Sequence, residues 1–400
     1  MINPDFTLFD DNMFIQVRQL LGGVSPDSAL PVIDVTVGEP RIAPPDILSH
    51  SLNEASANWQ AYPKAVADQQ FLDDLHLYFE DRFPSLAGNF DYDSHIVPVP
   101  GTREPLHFLG ICVAGAKQHA AALVSMPFYH AWRTGAMATG GEIIYMPAFE
   151  ADGFLPDLGA LDNDLLHRTS MMVLCSPTNP QGSIASADYI AHAIGLARQY
   201  DFLLVMDECY IDIWRGEKPV SALEVAMEMS AGEDDPFHHL IVLNSLSKRS
   251  SAAGLRVGFI CGDRQLCAAY LKLVSNGGAL VPTPLLRAGG ALYRDSQHNA
   301  DIRAHYDRSF DILKQHLDII VPQGGFFLWY PVPRAFNGDD KAYAVKLFQS
   351  ASIKSVPGSV MATDVGAGNP GAGFVRLAIV HDHETIEILA RRMATLGETL

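Results

Sequence analysis

The 400-residue chain is poor in charge, poor in cysteine and without a long apolar run. Charged residues make up 18% against 48% hydrophobic, the reverse of the balance that keeps a chain disordered. Basic residues are the scarcer sign, 28 Lys and Arg against 46 Asp and Glu, for a net charge of −18. A duplex-binding face or an anionic membrane contact needs the opposite sign, so both are excluded as expected partners. An anionic small molecule is not, because a few arginines can dominate one pocket. The five cysteines (Cys112, Cys175, Cys209, Cys261, Cys267) are odd in number and contain no CxxC pair, which excludes a disulfide framework and a metal cluster. Four of them lie in or beside apolar runs, as buried free thiols do, so the expected compartment is the reducing cytoplasm. No segment reaches the ~18 uninterrupted apolar residues of a membrane span. The opening MINPDFTLFDDNMF lacks the basic-then-apolar order of a secretory leader.

What is present is alternation. Strands are expected at 31–37, His95–Val99, Ala121–Ser125, Glu142–Met146, Ser170–Cys175, Phe202–Met206, Leu240–Asn244 and Val257–Cys261. Helices are expected between them, at 13–22, 69–83, 104–116, 129–140 and 186–200. Short strands that are apolar on both sides predict a mostly parallel sheet covered by helices on both faces, an α/β fold. After residue 262 the pattern changes, with helical stretches at 264–275 and 284–317, then strands near 325–331 and 374–379 and helices near 340–350 and 383–396. The expected organisation is a large α/β domain over 45–290 and a smaller α+β domain from 1–44 plus 291–400.

Ligands of an open α/β sheet sit at the carboxyl ends of its strands, so the residues following each strand carry the chemistry. After the strand at 95–99 come Gly101, Thr102 and Arg103, then a helix. Gly101 permits close backbone approach, Thr102 suits an N-cap, and free amides there suit a phosphate; an ordinary capped turn is the other reading. After Cys175, two prolines and Gly182 stiffen a loop that aims Asn179, or simply make a turn. After Met206 stands Asp207, an acid behind five apolar residues that needs a partner. A protonated ring nitrogen would serve; a capping role is the alternative. After Asn244 comes Ser245-Leu246-Ser247-Lys248, with Arg256 eight residues on. A lysine placed there can act as a Schiff-base nucleophile, or sit in a solvated basic loop. Together the four loops supply a phosphate cradle, a hydrogen-bond donor, an acid and a lysine, the set that pyridoxal 5′-phosphate requires.

Over essentially its full length the chain resembles the fold-type I, class I/II aminotransferases. The resemblance is carried by Gly38-Glu39-Pro40, Ala61-Tyr62-Pro63, Gly101-Thr102-Arg103, Pro127-Phe128-Tyr129, Asn179-Pro180-Gln181-Gly182, Asp207-Glu208-Cys209-Tyr210, Ser245-Leu246-Ser247-Lys248, Arg256 and Phe374-Val375-Arg376-Leu377. It implies a seven-stranded sheet and a homodimer with a shared active site. It implies that Lys248 holds the cofactor as an aldimine and later moves a proton, and that Asp207 pairs with the pyridine nitrogen. Asn179 and Tyr210 would bond the phenolic oxygen, and Tyr129 would stack on the ring. Gly101, the amides of Thr102 and Arg103, Ser245, Ser247 and Arg256 would hold the phosphate, joined by Tyr62 from the neighbouring subunit. Arg376 would clamp the substrate α-carboxylate near the Gly38 backbone. Gln181 departs from the family's usual threonine but leaves Asn179 in place. The Asn179–Pro180 bond is expected to be cis.

Within the family, Ser-Leu-Ser-Lys-Arg-Ser, Gly-Thr-Arg-Glu, Cys-Ser-Pro-x-Asn-Pro and Asp-Glu-Cys-Tyr resemble N-succinyldiaminopimelate aminotransferases of bacterial lysine synthesis. That implies exchange of an amino group between glutamate and an N-succinylated diaminopimelate, with Arg103 preferred over Arg249 for the distal carboxylate. A broader amino-acid aminotransferase and a C–S lyase are the alternatives on the same loops. No metal site is expected. The 15 histidines, His238-His239 included, read as surface residues, Glu233-Asp234-Asp235 as a solvated loop, and Met171-Met172 as core. Gly366 to Gly373 reads as a glycine-rich loop free to move.

Overall fold

The structure is a computed structural model and describes residues 12–65, 67–230 and 234–399. Twelve strands occur among them: β1 (Ile33–Asp34), β2 (Ile96–Val99), β3 (Ala121–Met126), β4 (Glu142–Pro147), β5 (Thr169–Cys175), β6 (Leu203–Asp207), β7 (Leu240–Ser245), β8 (Gly258–Gly262), β9 (Phe327–Pro331), β10 (Ile353–Lys354), β11 (Val356–Pro357) and β12 (Phe374–Ala378).

Seven of them form one sheet in the order β2-β8-β7-β6-β5-β3-β4. Strands β7, β6, β5, β3 and β4 run parallel, whereas β8 is antiparallel to both of its neighbours. This is the expected α/β layout. Alternate residues of the central strands feed two apolar layers. Met172, Leu174, Leu204, Met206 and Val242 enter one, while Met171, Val173, Leu203, Val205 and Ile241 enter the other. A strand with both faces covered reads as an unbroken apolar run.

A separate core joins the other sheet, β11-β12-β9, to the β1-β10 ladder. It contains Ile33 and Val35 from the N-terminal segment and residues from Phe310 to Leu396. Leu286, Leu292 and Tyr293 pack into the large core instead. Of the strand expected at 31–37, only Ile33 and Asp34 enter a ladder, because the Thr36 amide and hydroxyl bond back to Asp34. The stretch at 284–317 is two helices, Thr283–Arg294 and Ser296–His316, divided at Asp295, whose carboxylate caps the second.

Other expectations need correction. His95, His298 and His381 are buried rather than at the surface. The His95 ring contacts the Gly262 carbonyl at 2.7 Å, so a backbone partner repays its burial. Asp234 is exposed as expected, but Asp235 is mostly covered and accepts the Arg264 amide; Glu233 lies outside the described residues. Residues 1–11, most of the opening segment read as lacking a leader pattern, also lie outside them. In the loop after Asp364, Asp364 accepts the Gly366 and Gly368 amides and Asn369 donates to the Ser359 and Ala362 carbonyls. Among the described residues no helix is long and apolar enough to cross a membrane, and no cluster of metal-ligating side chains occurs.

Candidate active site

The carboxyl ends of β5, β6 and β7 share one edge of the large sheet, with Cys175 paired to Asp207 and Asp207 to Leu243. Because β8 runs the other way, its first residue lies at that same edge, Gly258 opposite both Ser245 and Val99. Arg256, two residues before β8, is thereby returned to the loops that follow β2 and β7. These loops surround a cavity of about 420 Å³.

Of the residues expected to form a site, Gly38, Thr102, Arg103, Tyr129, Asn179, Asp207, Tyr210, Ser245, Ser247, Lys248, Arg256 and Arg376 line this cavity. Gly101 backs it: its φ is +79°, and a Cβ there would come within 2.3 Å of the Arg256 guanidinium. Tyr62 is 96% exposed and is not brought into the cavity. Arg249 is not brought there either. It is buried against Asp212 at 2.7 Å and the Leu292 carbonyl at 2.8 Å, which removes it as a candidate for a distal carboxylate.

The Lys248 ammonium donates to the Gly38 carbonyl. Burial, with Arg376 acting in the same direction, holds its pKa down at about 8, so the free amine is within reach near neutrality. Asp207 is buried among neutral donors, the Trp132 indole at 2.8 Å on Oδ2, the Cys209 amide at 3.2 Å on Oδ1 and the Cys209 thiol. Burial raises its pKa against the lowering by these bonds and by Lys248. A cationic ring nitrogen is the kind of partner that a buried carboxylate calls for.

At the phosphate end, Thr102 stands at the N-cap of the helix Arg103–Cys112, but its side chain makes no capping bond. Its hydroxyl lies 3.3 Å from Cys209 Sγ instead, which leaves first-turn amides available to an anion. Ser245 and Ser247 hydroxyls meet at 2.9 Å, and Arg256 donates to the Pro100 carbonyl at 2.8 Å. The Asn179–Pro180 bond is cis, as expected.

Arg376, on β12, is buried. It donates to the Thr36 carbonyl at 2.7 Å and to Asn179 Oδ1 at 3.4 Å, over the Phe327 ring at 4.5 Å. Its Nε has no partner. Burial lowers its pKa to about 10, still a cation at neutral pH. A buried guanidinium with an unused N–H is suited to a carboxylate. Arg103 is exposed and donates to the Tyr129 hydroxyl at 3.2 Å. The sequence reading missed Trp132, His130 and the apolar wall of Met13, Phe14 and Val37, all of which line the cavity. A tryptophan on an amphipathic helix carries no signal that separates it from core. Burial lowers the His130 pKa to about 4, with Arg103, Arg133 and Arg376 adding to the effect.

The residues present therefore fit pyridoxal 5′-phosphate: a glycine-floored cradle with an arginine beneath, a buried acid without a cationic hydrogen-bond partner, and a lysine of lowered pKa between them. Comparison with known proteins agrees. The family model of class I and II aminotransferases matches residues 31–393. A curated relative, the LL-diaminopimelate aminotransferase of Syntrophobacter fumaroxidans, is 29% identical over 375 residues, 92% of this chain and 91% of that protein. The crystal structure of an aminotransferase from Neisseria meningitidis superposes with a TM-score of 0.90 at 30% identity, covering 98% of this chain and 99% of that one. A probable N-succinyldiaminopimelate aminotransferase from Thermus thermophilus, at 23% identity, TM-score 0.80, and 96% and 100% coverage, shares the fold.

Proposed function

The chain belongs to the class I and II aminotransferases, enzymes that depend on pyridoxal 5′-phosphate, and from that premise we propose that it exchanges the amino group between glutamate and an N-succinylated diaminopimelate. The observation that carries this reading is that Arg376 and Arg103 line one cavity. Two guanidiniums fit a substrate with a carboxylate at each end, as both proposed reactants have. A second reading, free LL-diaminopimelate, is favoured by Glu39, an exposed acid on the same wall that suits a distal ammonium, and by the name of the Syntrophobacter relative.

In this reading Arg376 grips the α-carboxylate with two parallel N–H groups and orients the Cα–H bond. The bound cofactor supplies an electron-withdrawing ring and the aldehyde that accepts the amino group. Lys248, neutral when its proton is lost near pH 8, takes the Cα proton and returns it on the other side of the transfer. With the cofactor bound, Asp207 would keep the ring nitrogen protonated, and Asn179 and Tyr210 would hold the phenolic oxygen. Met13, Phe14 and Val37 cover the methylene chain of the substrate. A homodimer belongs to the same proposal: the exposed Tyr62, beside the 55% exposed Trp59, would complete the phosphate site of the partner subunit.

The test is glutamate formation from 2-oxoglutarate with each diaminopimelate in turn. Turnover of the succinylated compound supports the proposal, turnover of LL-diaminopimelate alone supports the second reading, and release of pyruvate and ammonia from an amino acid would indicate a lyase. Arg103→Met should raise KM for the distal acid by about tenfold, the loss of one charge-assisted bond, without altering the cofactor spectrum. An unchanged KM removes Arg103 from that role.

A further inference from the structure

We propose that Trp132 is a positioning residue: its indole N–H holds Asp207 as a carboxylate that can only accept, with its proton left on the cofactor's ring nitrogen. This rests on the reading that Asp207 faces that nitrogen. Trp132 lies on the helix His130–Ala138, 2% exposed, and its Nε1 donates to Asp207 Oδ2 at 2.8 Å. The other oxygen accepts the Cys209 amide. Both oxygens therefore carry a donor.

The chemistry of the donors decides what Asp207 can do. An indole N–H donates and never accepts, neither it nor a backbone amide titrates in the physiological range, and the Cys209 thiol that also bonds Asp207 is held protonated by burial. Asp207 cannot pass a proton to any of these neighbours, and their bonds favour its ionised form at every accessible pH. A hydroxyl in the place of Trp132 could reverse its hydrogen bond and stabilise a protonated Asp207. The remaining titratable groups around Asp207 come from every neighbouring element. They are Lys248 after β7, Cys175 at the end of β5, Cys209 and Tyr210 after β6, and Tyr129 before the Trp132 helix. Only Lys248 among them is a cation. The adjacent Glu208 is engaged elsewhere, with Ser221 and the Ala222 amide.

Removing the indole N–H raises the proton affinity of Asp207, and the shared proton moves from the ring nitrogen to the carboxylate. One hydrogen bond to a charged group corresponds to roughly tenfold to a hundredfold in that affinity. Trp132→Phe keeps a large aromatic ring and loses only the donor; Trp132→His restores a donor in a smaller ring.

The experiment is nitrogen NMR of the holoenzyme reconstituted with cofactor isotope-labelled at the ring nitrogen, across the neutral pH range. The native protein should show a protonated ring nitrogen throughout. Trp132→Phe should move the resonance toward the unprotonated position, and Trp132→His should move it back. A native resonance that is already unprotonated refutes the Asp207 reading itself. A protonated native resonance that Trp132→Phe leaves in place, or that both variants shift equally, overturns the role of Trp132 alone. If Trp132→Phe does not fold, the indole N–H signal of the native holoenzyme decides. A slowly exchanging, downfield-shifted proton with no pH dependence supports the proposal, and a solvent-like signal overturns it.

Discussion

Replacing Arg376 by lysine should weaken substrate binding and leave the cofactor untouched. The structure sets the size of the effect. The guanidinium already spends one N–H on the Thr36 carbonyl and a weaker one on Asn179, and it retains an unpartnered Nε. A planar fork can keep these bonds and still give two parallel N–H groups to a carboxylate; an ammonium on a shorter stem cannot. Lysine keeps the charge, so the loss is one charge-assisted hydrogen bond, about 1.5–3 kcal/mol. That is a rise in KM of about tenfold to 150-fold. The α-carboxylate does not change charge during the transfer, so most of the loss should appear in KM, with a smaller fall in kcat from a less well oriented Cα–H bond. The increase should be the same for glutamate and for the diaminopimelate substrate, which share the α-carboxylate. Steady-state kinetics with both, alongside a cofactor titration, measures this. An unchanged KM for glutamate, a fall confined to kcat, or loss of cofactor binding would each refute the reasoning.

Further outcomes follow from the same geometry. The Lys248 pKa is lowered to about 8 from an ordinary 10.5, chiefly by burial, so in the cofactor-free protein the cost of burying the ammonium is fully present below pH 8. Between those two values the unfolded chain holds the extra proton, and stability rises with pH. Lys248→Met should flatten that rise in thermal midpoint against pH; parallel profiles would contradict it. Gly101→Ala places a Cβ against Arg256 at a φ of +79°, a strain of about 1–2 kcal/mol that should appear as lost stability in urea unfolding; an unchanged midpoint would contradict it. Asp212 accepts Arg82 at 2.9 Å, Arg249 at 2.7 Å and the Tyr78 hydroxyl at 2.9 Å in the buried core, so Asp212→Asn should cost about 3–5 kcal/mol in urea unfolding by leaving two guanidiniums unpaired.

The site-bearing loops were legible because their polar residues interrupt apolar strands. Asp207 and Lys248 stand out after runs such as Leu-Leu-Val-Met and Leu-Ile-Val-Leu, and burial makes each costly without a partner. The parallel sheet was legible from the same runs. The direction of β8 was not, since an apolar strand reads alike in either direction, yet that direction is what carries Arg256 back to the Gly101 turn. Arg103 and Arg249 look equivalent in sequence, each beside a site residue. Only packing separates an arginine at the cavity rim from one paired with Asp212, 37 residues away in the chain. Trp132 and Met13 are apolar residues at helical spacing, and nothing local marks one as a hydrogen-bond donor to Asp207 and the other as a cavity wall. The buried histidines were misread for the related reason that their partners, such as the Gly262 carbonyl for His95, are remote in sequence.

The account depends most on Lys248 as the point where the cofactor is held. Borohydride reduction of the holoenzyme followed by peptide mass mapping tests this directly. The account predicts a single pyridoxyl mass on the peptide containing Lys248 and its absence in Lys248→Met. A label on any other lysine, or none after reduction of a visibly coloured holoenzyme, would contradict it.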